Sequence, residues 1–146
     1  MPTLSEVVTA ALPGLHALTE AQASRKPAPD VWSAQEILGH LIDSGVNNHE
    51  RFVRAGAQDG LELPGYDQNT WVQVSGWQAR PWLEVLALWE VYQSHLAHLI
   101  AHLPPASLTH NLRIGGGEPV TLGFVTEDYV AHQLHHLAQI RERVGG

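Results

Sequence analysis

Apolar residues recur at intervals of three and four in four stretches of the chain, which is the spacing of amphipathic α-helices. The first stretch covers about residues 4–18, and Pro13 is expected to bend or split its helix because proline lacks a backbone N–H. The second begins at a capping box formed by Ser33 and Glu36 and continues to about Ala55. The first half of the chain is therefore predicted to contain two helices.

The second half of the chain predicts two further helices. Pro81 can occupy the first position of the third helix, and Thr121 can cap the fourth, which runs to about residue 144. The connections are long: residues 57–80 can hold one short helical turn at about residues 66–74, and residues 106–120 form a loop or a small hairpin. The pattern predicts an all-α protein, a four-helix bundle with long connections.

Composition excludes several classes of protein. The 146 residues fit a single domain, taken as residues 1–146, and 44% apolar residues can build a packed core. The net charge is −7 and the eight Lys and Arg residues are scattered, so no nucleic-acid partner is expected. No apolar run could cross a membrane and the N-terminus lacks an export signal, so we expect a cytoplasmic protein. Because the chain has no cysteine, any metal must be held by nitrogen and oxygen.

Ten histidines stand out in this composition, and two groups of them have the spacing of metal ligands. His132 and His136 are four residues apart on the fourth predicted helix, so their imidazoles lie on one face and can converge on one ion. The third predicted helix offers His95, His98 and His102 at similar spacing. Surface and packing histidines often show the same spacing, which therefore does not choose between the two groups.

The faces of the predicted helices give these histidines different surroundings. At about 100° per residue, His132 and His136 lie at the edge of the apolar face of their helix, and His135 points away from it. The third-helix histidines lie mainly on the polar side. On the second helix a polar column borders the core stripe, as is typical of pocket-lining residues; it consists of His40, Ser44, Asn47 and Arg51, with Asn48 on the stripe itself.

Several short motifs are distributed along most of the chain. They are Trp32-Ser33, Glu36-Ile37, His40-Leu41, Asn48-His49-Glu50-Arg51-Phe52, Tyr66-Asp67-Gln68-Asn69-Thr70-Trp71 and His132-Gln133-Leu134-His135-His136. Their combination resembles the DinB/YfiT superfamily. This resemblance implies an up-down-down-up four-helix bundle with three metal-binding histidines, which map by motif onto His40, His132 and His136. The third-helix histidines match no family motif and are interpreted as a solvated stripe.

Three neutral imidazoles hold a divalent ion without cancelling its charge and leave positions open for water or substrate. Zinc or nickel suits this ligand set, and the sequence does not choose between them. Asp128 and Tyr129 are candidates for residues that bond to the metal-binding histidines and orient them. Asp128 would equally well complement the dipole at the start of its helix. Candidate pocket residues are Ser44, Asn47, Asn48 and Arg51.

Two functions of different classes remain open. The resemblance implies a metal-dependent hydrolase, or a thiol-S-transferase or isomerase that uses a low-molecular-weight thiol such as bacillithiol or mycothiol; metal would activate the water or thiol against a small electrophile. The alternative is a non-catalytic, stress-associated, metal-binding dimer. A homodimer is expected, packed along its helices and aided by Trp71 and Trp77 in the long connection, unless that loop folds back to cap the bundle.

Overall fold

A computed structural model describes residues 1–145. Helices dominate it, and three short strands are a minor addition. The helices are α1 (Leu4–His16), α2 (Glu20–Ser24), α3 (Ala34–Ala57), α4 (Gln68–Ser75), α5 (Trp82–Ala101) and α6 (Leu122–Gly145), and the strands are β1 (Leu61–Leu63), β2 (Asn111–Ile114) and β3 (Val120–Thr121). Short 3₁₀ helices cover Trp77–Ala79 and Pro105–Thr109. None of the helices within residues 1–145 has the length and apolar character needed to cross a membrane.

Side chains that cap the backbone determine where most helices begin. The predicted capping box of α3 is present, since the Ser33 hydroxyl accepts from the backbone N–H of Glu36 at 3.1 Å. Thr121 caps α6 by accepting from the N–H of Phe124 at 3.1 Å. Helix α1 is not split at Pro13 but continues to His16, which corrects one of the two outcomes expected for that proline.

The short helix α2 was not predicted, although its sequence carries a recognisable start signal. Thr19 and Gln22 form a capping box in which each side chain bonds to the backbone N–H of the other residue. The helix has only five residues, too few to show an apolar period. In this case the capping pattern is the more informative signal.

The four long helices run up-down-down-up, as the resemblance implied. Helices α3 and α5 are parallel, because Gly45 faces Leu96 and, further along α3, Gly56 faces Leu103 just after the end of α5. Helix α6 is antiparallel to α3, with His40 opposite His132 near one end and Phe52 against Tyr129 further on. Helix α1 completes the bundle against α5 and α6, and the Trp82 indole donates to the Leu15 carbonyl at 3.1 Å.

The bundle core is mainly apolar, and one small polar cluster lies between α5 and α6. Trp89 donates its indole N–H to Gln133 Oε1 at 3.2 Å, and the Tyr129 hydroxyl donates to Gln93 Oε1 at 2.7 Å. All four side chains are buried. Gln93 therefore belongs to the core face of α5, which the apolar pattern of that helix did not reveal.

The two long connections meet in a small sheet at one end of the bundle. Strand β1 pairs parallel with β2, and β2 pairs antiparallel with β3. The β2–β3 hairpin turns through Gly115 and Gly116, which both have positive φ and so favour glycine. The hairpin agrees with the prediction for residues 106–120, whereas β1 was not predicted.

The connection before α5 folds back onto the bundle. Trp77 is buried against Gly39 of α3, and its indole N–H donates to Asp43 Oδ2 at 3.1 Å. Trp71 is half-buried and packs on the ring of Tyr66 at 5.7 Å. The expectation that Trp77 is an exposed interface residue is therefore wrong, because the residue caps the bundle instead. The homodimer itself stays a prediction.

Candidate metal centre

Three histidine side chains from two antiparallel helices meet inside the bundle. His40 lies on α3, and His132 and His136 lie one turn apart on α6. Each residue offers one ring nitrogen such that all three nitrogens lie within 4.8 Å of one another. The Nε2 atoms of His40 and His132 are 3.3 Å apart. Among residues 1–145 this is the single group of three or more side chains arranged to ligate a metal ion.

The spacing of these nitrogens fits a metal ion. Two nitrogens bound to one tetrahedral zinc at the usual bond length are about 3.3–3.4 Å apart. The Nε2 atoms of His40 and His132 are 3.3 Å apart, which is also long for a direct hydrogen bond between them. The arrangement therefore suits two ligands of one ion better than a bonded pair.

Burial keeps the three imidazoles in the form that can bind a metal. Desolvation lowers the pKa of His40 to about 3 and that of His132 to about 4, with further lowering from the neighbouring histidines. The pKa of His136 is lowered as well, again mainly by burial. A neutral imidazole has a free lone pair, so all three residues can act as ligands at neutral pH.

The outer nitrogens of the three rings have different partners. His136 Nδ1 lies 2.8 Å from Gln139 Oε1, so this ring donates its N–H to the amide and leaves Nε2 free as a ligand. The Nδ1 atoms of His40 and His132 are buried and have no hydrogen-bond partner within residues 1–145. Asp128 therefore does not hold His132 through this nitrogen, which corrects the role considered for it.

A cavity of about 320 Å³ opens beside the histidine cluster, and His132 forms part of its wall. Three of the four predicted pocket residues line it, namely Ser44, Asn48 and Arg51. Asn47 does not, because its amide turns back to donate to the Asp43 carbonyl at 2.9 Å. Of the polar column predicted on α3, Ser44 and Arg51 thus form part of the cavity wall, together with Asn48, whereas His40 and Asn47 do not.

Asp128 and Tyr129 line the same cavity but do not bond to the triad. Asp128 is exposed at the cavity. Tyr129 is buried, its hydroxyl is bonded to Gln93, and its ring packs edge-on against Phe52 at 5.5 Å. Burial raises the pKa of Tyr129 far above its ordinary value, so its hydroxyl stays protonated. The role considered for Tyr129 at the metal ligands is therefore corrected to a structural one.

Three further residues near the site were not predicted from the sequence. Gln139 is one turn beyond His136, and the spacing of three residues on a helix was a usable signal for that contact. Trp32 packs its ring 5.0 Å from that of His40. Tyr66 enters the cavity from the long connection, and no local pattern could have placed it there.

The histidines of α5 have a different environment. His95, His98 and His102 are all exposed, as the solvated-stripe interpretation predicted. The rings of His98 and His102 stack at 4.1 Å, and His102 Nδ1 bonds to the backbone carbonyl of His98 at 2.8 Å. The three residues do not converge on a common point.

Comparisons with known proteins agree with this fold. A protein of Halalkalibacterium halodurans named as a putative metal-dependent hydrolase is 24% identical over 132 residues, which is 88% of this chain and 77% of the relative. YfiT of Bacillus subtilis, named in the same way, is 23% identical over 95% of this chain and 79% of its own length.

Solved structures show the same architecture. The structure of Bacillus subtilis YfiT, described as a probable metal-dependent hydrolase with an unusual four-helix bundle topology, superposes with a TM-score of 0.83 at 23% identity and covers 96% of this chain and 81% of that one. A mycothiol-dependent maleylpyruvate isomerase superposes with a TM-score of 0.70 at 14% identity, covering 96% of this chain and 61% of that one. A sequence profile of the DinB superfamily matches residues 4–140. The chain belongs to the DinB superfamily.

Proposed function

We propose that this protein is a metal-dependent enzyme in which His40, His132 and His136 hold a divalent ion, zinc or nickel. The observation that carries the proposal is the convergence of three neutral imidazoles, one buried and two half-buried, beside an open cavity. No fourth side chain joins the group among residues 1–145. A site with three protein ligands and access to a cavity is the arrangement of catalytic rather than structural zinc.

Such an ion, when bound, lowers the pKa of a coordinated water or thiol, so that a nucleophile forms at neutral pH. The protein contributes orientation and exclusion of water. His136 is held by Gln139, and the ring of His40 is enclosed by Trp32 and by the other two histidines. Since His132 lies on the cavity wall, the open side of the cluster faces the space a substrate would enter.

The nucleophile is either a low-molecular-weight thiol, bacillithiol or a similar molecule, or water. Hydrolysis is supported by the names of the relatives, which describe metal-dependent hydrolases. Transfer to a thiol is supported by the shared fold of an isomerase that depends on mycothiol. In both reactions a small electrophile would occupy the cavity beside His132.

Elemental analysis of protein purified without a histidine tag tests the metal, and paired assays test the nucleophile. We expect close to one zinc or nickel ion per chain. The metal-loaded protein is then screened for loss of thiol with halogenated or epoxide electrophiles, and for release of acid from small amides and esters. Full metal occupancy with no turnover in either screen, and no binding of a thiol or a hydroxamate, would favour the non-catalytic metal-binding protein instead.

A further inference from the structure

Arg51 is a buried cation inside the cavity. Its side chain is 9% exposed and lines the cavity together with Ser44 and Asn48. None of the ion pairs formed by residues 1–145 includes Arg51, although three of the other basic side chains pair with a carboxylate. A buried guanidinium without a carboxylate partner is costly, so such groups are usually paired.

The hydrogen bonds that Arg51 does make are few and long. One terminal nitrogen donates to Asn48 Oδ1 and the other to the Pro64 carbonyl, each at 3.3 Å. A guanidinium has five N–H donors and fits a carboxylate through two of them. The neutral oxygens that now contact Arg51 satisfy only part of this capacity.

The other charged groups at the cavity do not neutralise Arg51. Glu118 and Asp128 line the cavity, but both are exposed and neither lies within ion-pair distance of the guanidinium. Tyr66 is the neighbouring acidic group, and burial raises its pKa, so it remains a neutral hydroxyl that can donate a hydrogen bond. Arg51 and Tyr66 together offer a positive charge and donors on one side of the cavity.

The position of Arg51 relative to the histidines indicates what it can contact. His40, Ser44, Asn48 and Arg51 follow one face of α3, and the eleven residues from His40 to Arg51 correspond to about 16 Å of helix rise. The contact with Asn48 shows that the Arg51 side chain leans back toward the histidines. Because of this separation along the helix, the guanidinium is suited to a part of the ligand that is distant from the reacting atom.

We propose that Arg51 and Tyr66 form a subsite for a carboxylate carried several bonds away from the atom that reacts at the metal. This inference rests on the proposed function, since it places the reacting end of the ligand at the histidines. The carboxylate belongs either to the electrophilic substrate or to the thiol. A cavity of about 320 Å³ is at the small end of ligand sites, so the ligand is a small carboxylic acid rather than a large conjugate.

The first test needs no metal and no variant. NMR of ¹⁵N-labelled arginine side chains follows metal-free protein during titration with hexanoate and, separately, with hexanamide. We expect hexanoate to shift the Nε–H resonance of Arg51 to saturation and hexanamide to leave it almost unchanged. Arg54 is the internal control, because it lies on the exposed side of the same helix, paired with Glu50 at 2.7 Å. Equal responses to acid and amide at Arg51 would overturn the proposal, whatever the metal content.

The second test measures affinity in the metal-loaded protein. Calorimetry compares hydroxamates of increasing chain length that end in a carboxylate with the same compounds ending in a carboxamide. At the chain length that fits best, the acid should bind at least about tenfold more tightly than the amide, which is the effect of a desolvated hydrogen bond to a charged group. Mercaptoalkanoic acids and their amides form a parallel series: preference for the acid only among thiols assigns the carboxylate to the thiol, and preference among hydroxamates assigns it to the substrate.

Variants separate the subsite from the metal centre. Arg51→Gln should remove the preference for the acid, while the metal content and the affinity for the carboxamide-ended hydroxamates persist. Arg54→Gln should leave both the preference and the metal content unchanged. Arg51→Lys should keep part of the preference, since it keeps the charge but not the two-pronged geometry. Loss of metal from otherwise folded wild-type protein would count against the proposed function alone. An unchanged preference for the acid in folded Arg51→Gln would overturn the carboxylate subsite alone.

Discussion

The chain carries two groups of three histidines, each including residues with ligand spacing on one helix, whose structural settings are opposite. His95, His98 and His102 occupy the exposed side of one helix, where two of the rings stack on each other. His40, His132 and His136 come from two antiparallel helices and bring their nitrogens within 4.8 Å. Spacing on a helix creates a row of imidazoles; convergence requires a second helix that faces the row.

The difference extends to the electrostatic environment. Residues around the interior cluster remove water from the rings and lower the pKa of His40 to about 3. This burial has a cost, because two of the ring nitrogens have no hydrogen-bond partner within residues 1–145. A cation bound between the inner nitrogens would not bond to these two outer atoms, but it would bind the three neutral lone pairs that face one another. The exposed cluster has no comparable deficit, since water can bond to its rings.

The largest effect is expected from removing single histidines of each cluster. Replacing His40, His132 or His136 with Ala should weaken metal binding by more than about 100-fold, because the loss of a ligand costs more than the loss of a residue that only orients a ligand. His95→Ala, His98→Ala and His102→Ala should leave the metal content unchanged. Elemental analysis and competition with a chelator measure both sets. Equal losses from the two sets would remove the distinction between the clusters.

The second effect is a dependence of stability on pH that belongs to the interior cluster. The folded pKa of His40 is lowered to about 3 and that of His132 to about 4, so the unfolded chain binds more protons than the folded one below pH about 6.5. The free energy of unfolding of metal-free protein should therefore fall as the pH decreases from about 6.5 toward 4, by about 1.4 kcal/mol per pH unit for each fully displaced proton.

One buried carboxylate opposes this trend. Burial raises the pKa of Asp43 to about 6, so its contribution to stability is present at low pH and is lost as the pH rises through 4 to 6. The free energy of unfolding should therefore change less with pH than the two histidines alone would cause. It should change more steeply with pH in Asp43→Asn. Urea unfolding at several pH values measures it. If the pH dependence of the free energy of unfolding disappears when His95, His98 and His102 are replaced, it does not come from the interior histidines.

Much of the bundle could be predicted because each long helix carries a complete local signal. The capping box at Ser33 and the cap at Thr121 mark the starts of α3 and α6, and apolar periodicity identifies the faces that pack. Elements stabilised by distant partners were missed. Strand β1 exists because it pairs with β2, about fifty residues away, and three residues cannot show a period of their own.

The site was predictable to a similar extent and for similar reasons. Helical spacing placed Ser44, Asn48 and Arg51 on one wall, and resemblance to a family connected His40 with the histidines of α6. Tyr66 was not identified as a site residue because the path of the long connection decides its position. The reverse error occurred at Trp77, where an aromatic residue in a predicted loop was interpreted as exposed although the fold covers it.

A third, smaller effect is expected at the packing contact beside the interior cluster. Gly39 directly precedes His40, and a Cβ added there would overlap the indole ring of Trp77. Gly39→Ala should therefore displace Trp77, weaken its bond to Asp43 and reduce the free energy of unfolding by about 1–3 kcal/mol. Urea unfolding measures the change.

Gly14→Ala is the matched control for this substitution. Gly14 also lies within a helix, but no atom is found within 4 Å of the position of its Cβ. Alanine should therefore stabilise α1 by about 0.5–1 kcal/mol. Destabilisation of similar size in both variants would mean that general helix effects, rather than contact with Trp77, explain the loss at Gly39.

The smallest effect separates a ligand from the group that orients it. Gln139 accepts a hydrogen bond from Nδ1 of His136 at 2.8 Å and so favours the tautomer with Nε2 free. Gln139→Ala should weaken metal binding by about 10–100-fold, as is usual when the hydrogen-bond partner of a ligand is lost, without changing the stoichiometry at saturating metal. Gln139→Glu should restore affinity, because a carboxylate accepts the same bond.

His135→Ala is the matched control for this substitution. The ring of His135 is 5.0 Å from that of His136, yet the residue is exposed and holds no ligand in place. If His135→Ala weakens metal binding as much as Gln139→Ala, the tautomer of His136 does not depend on the glutamine.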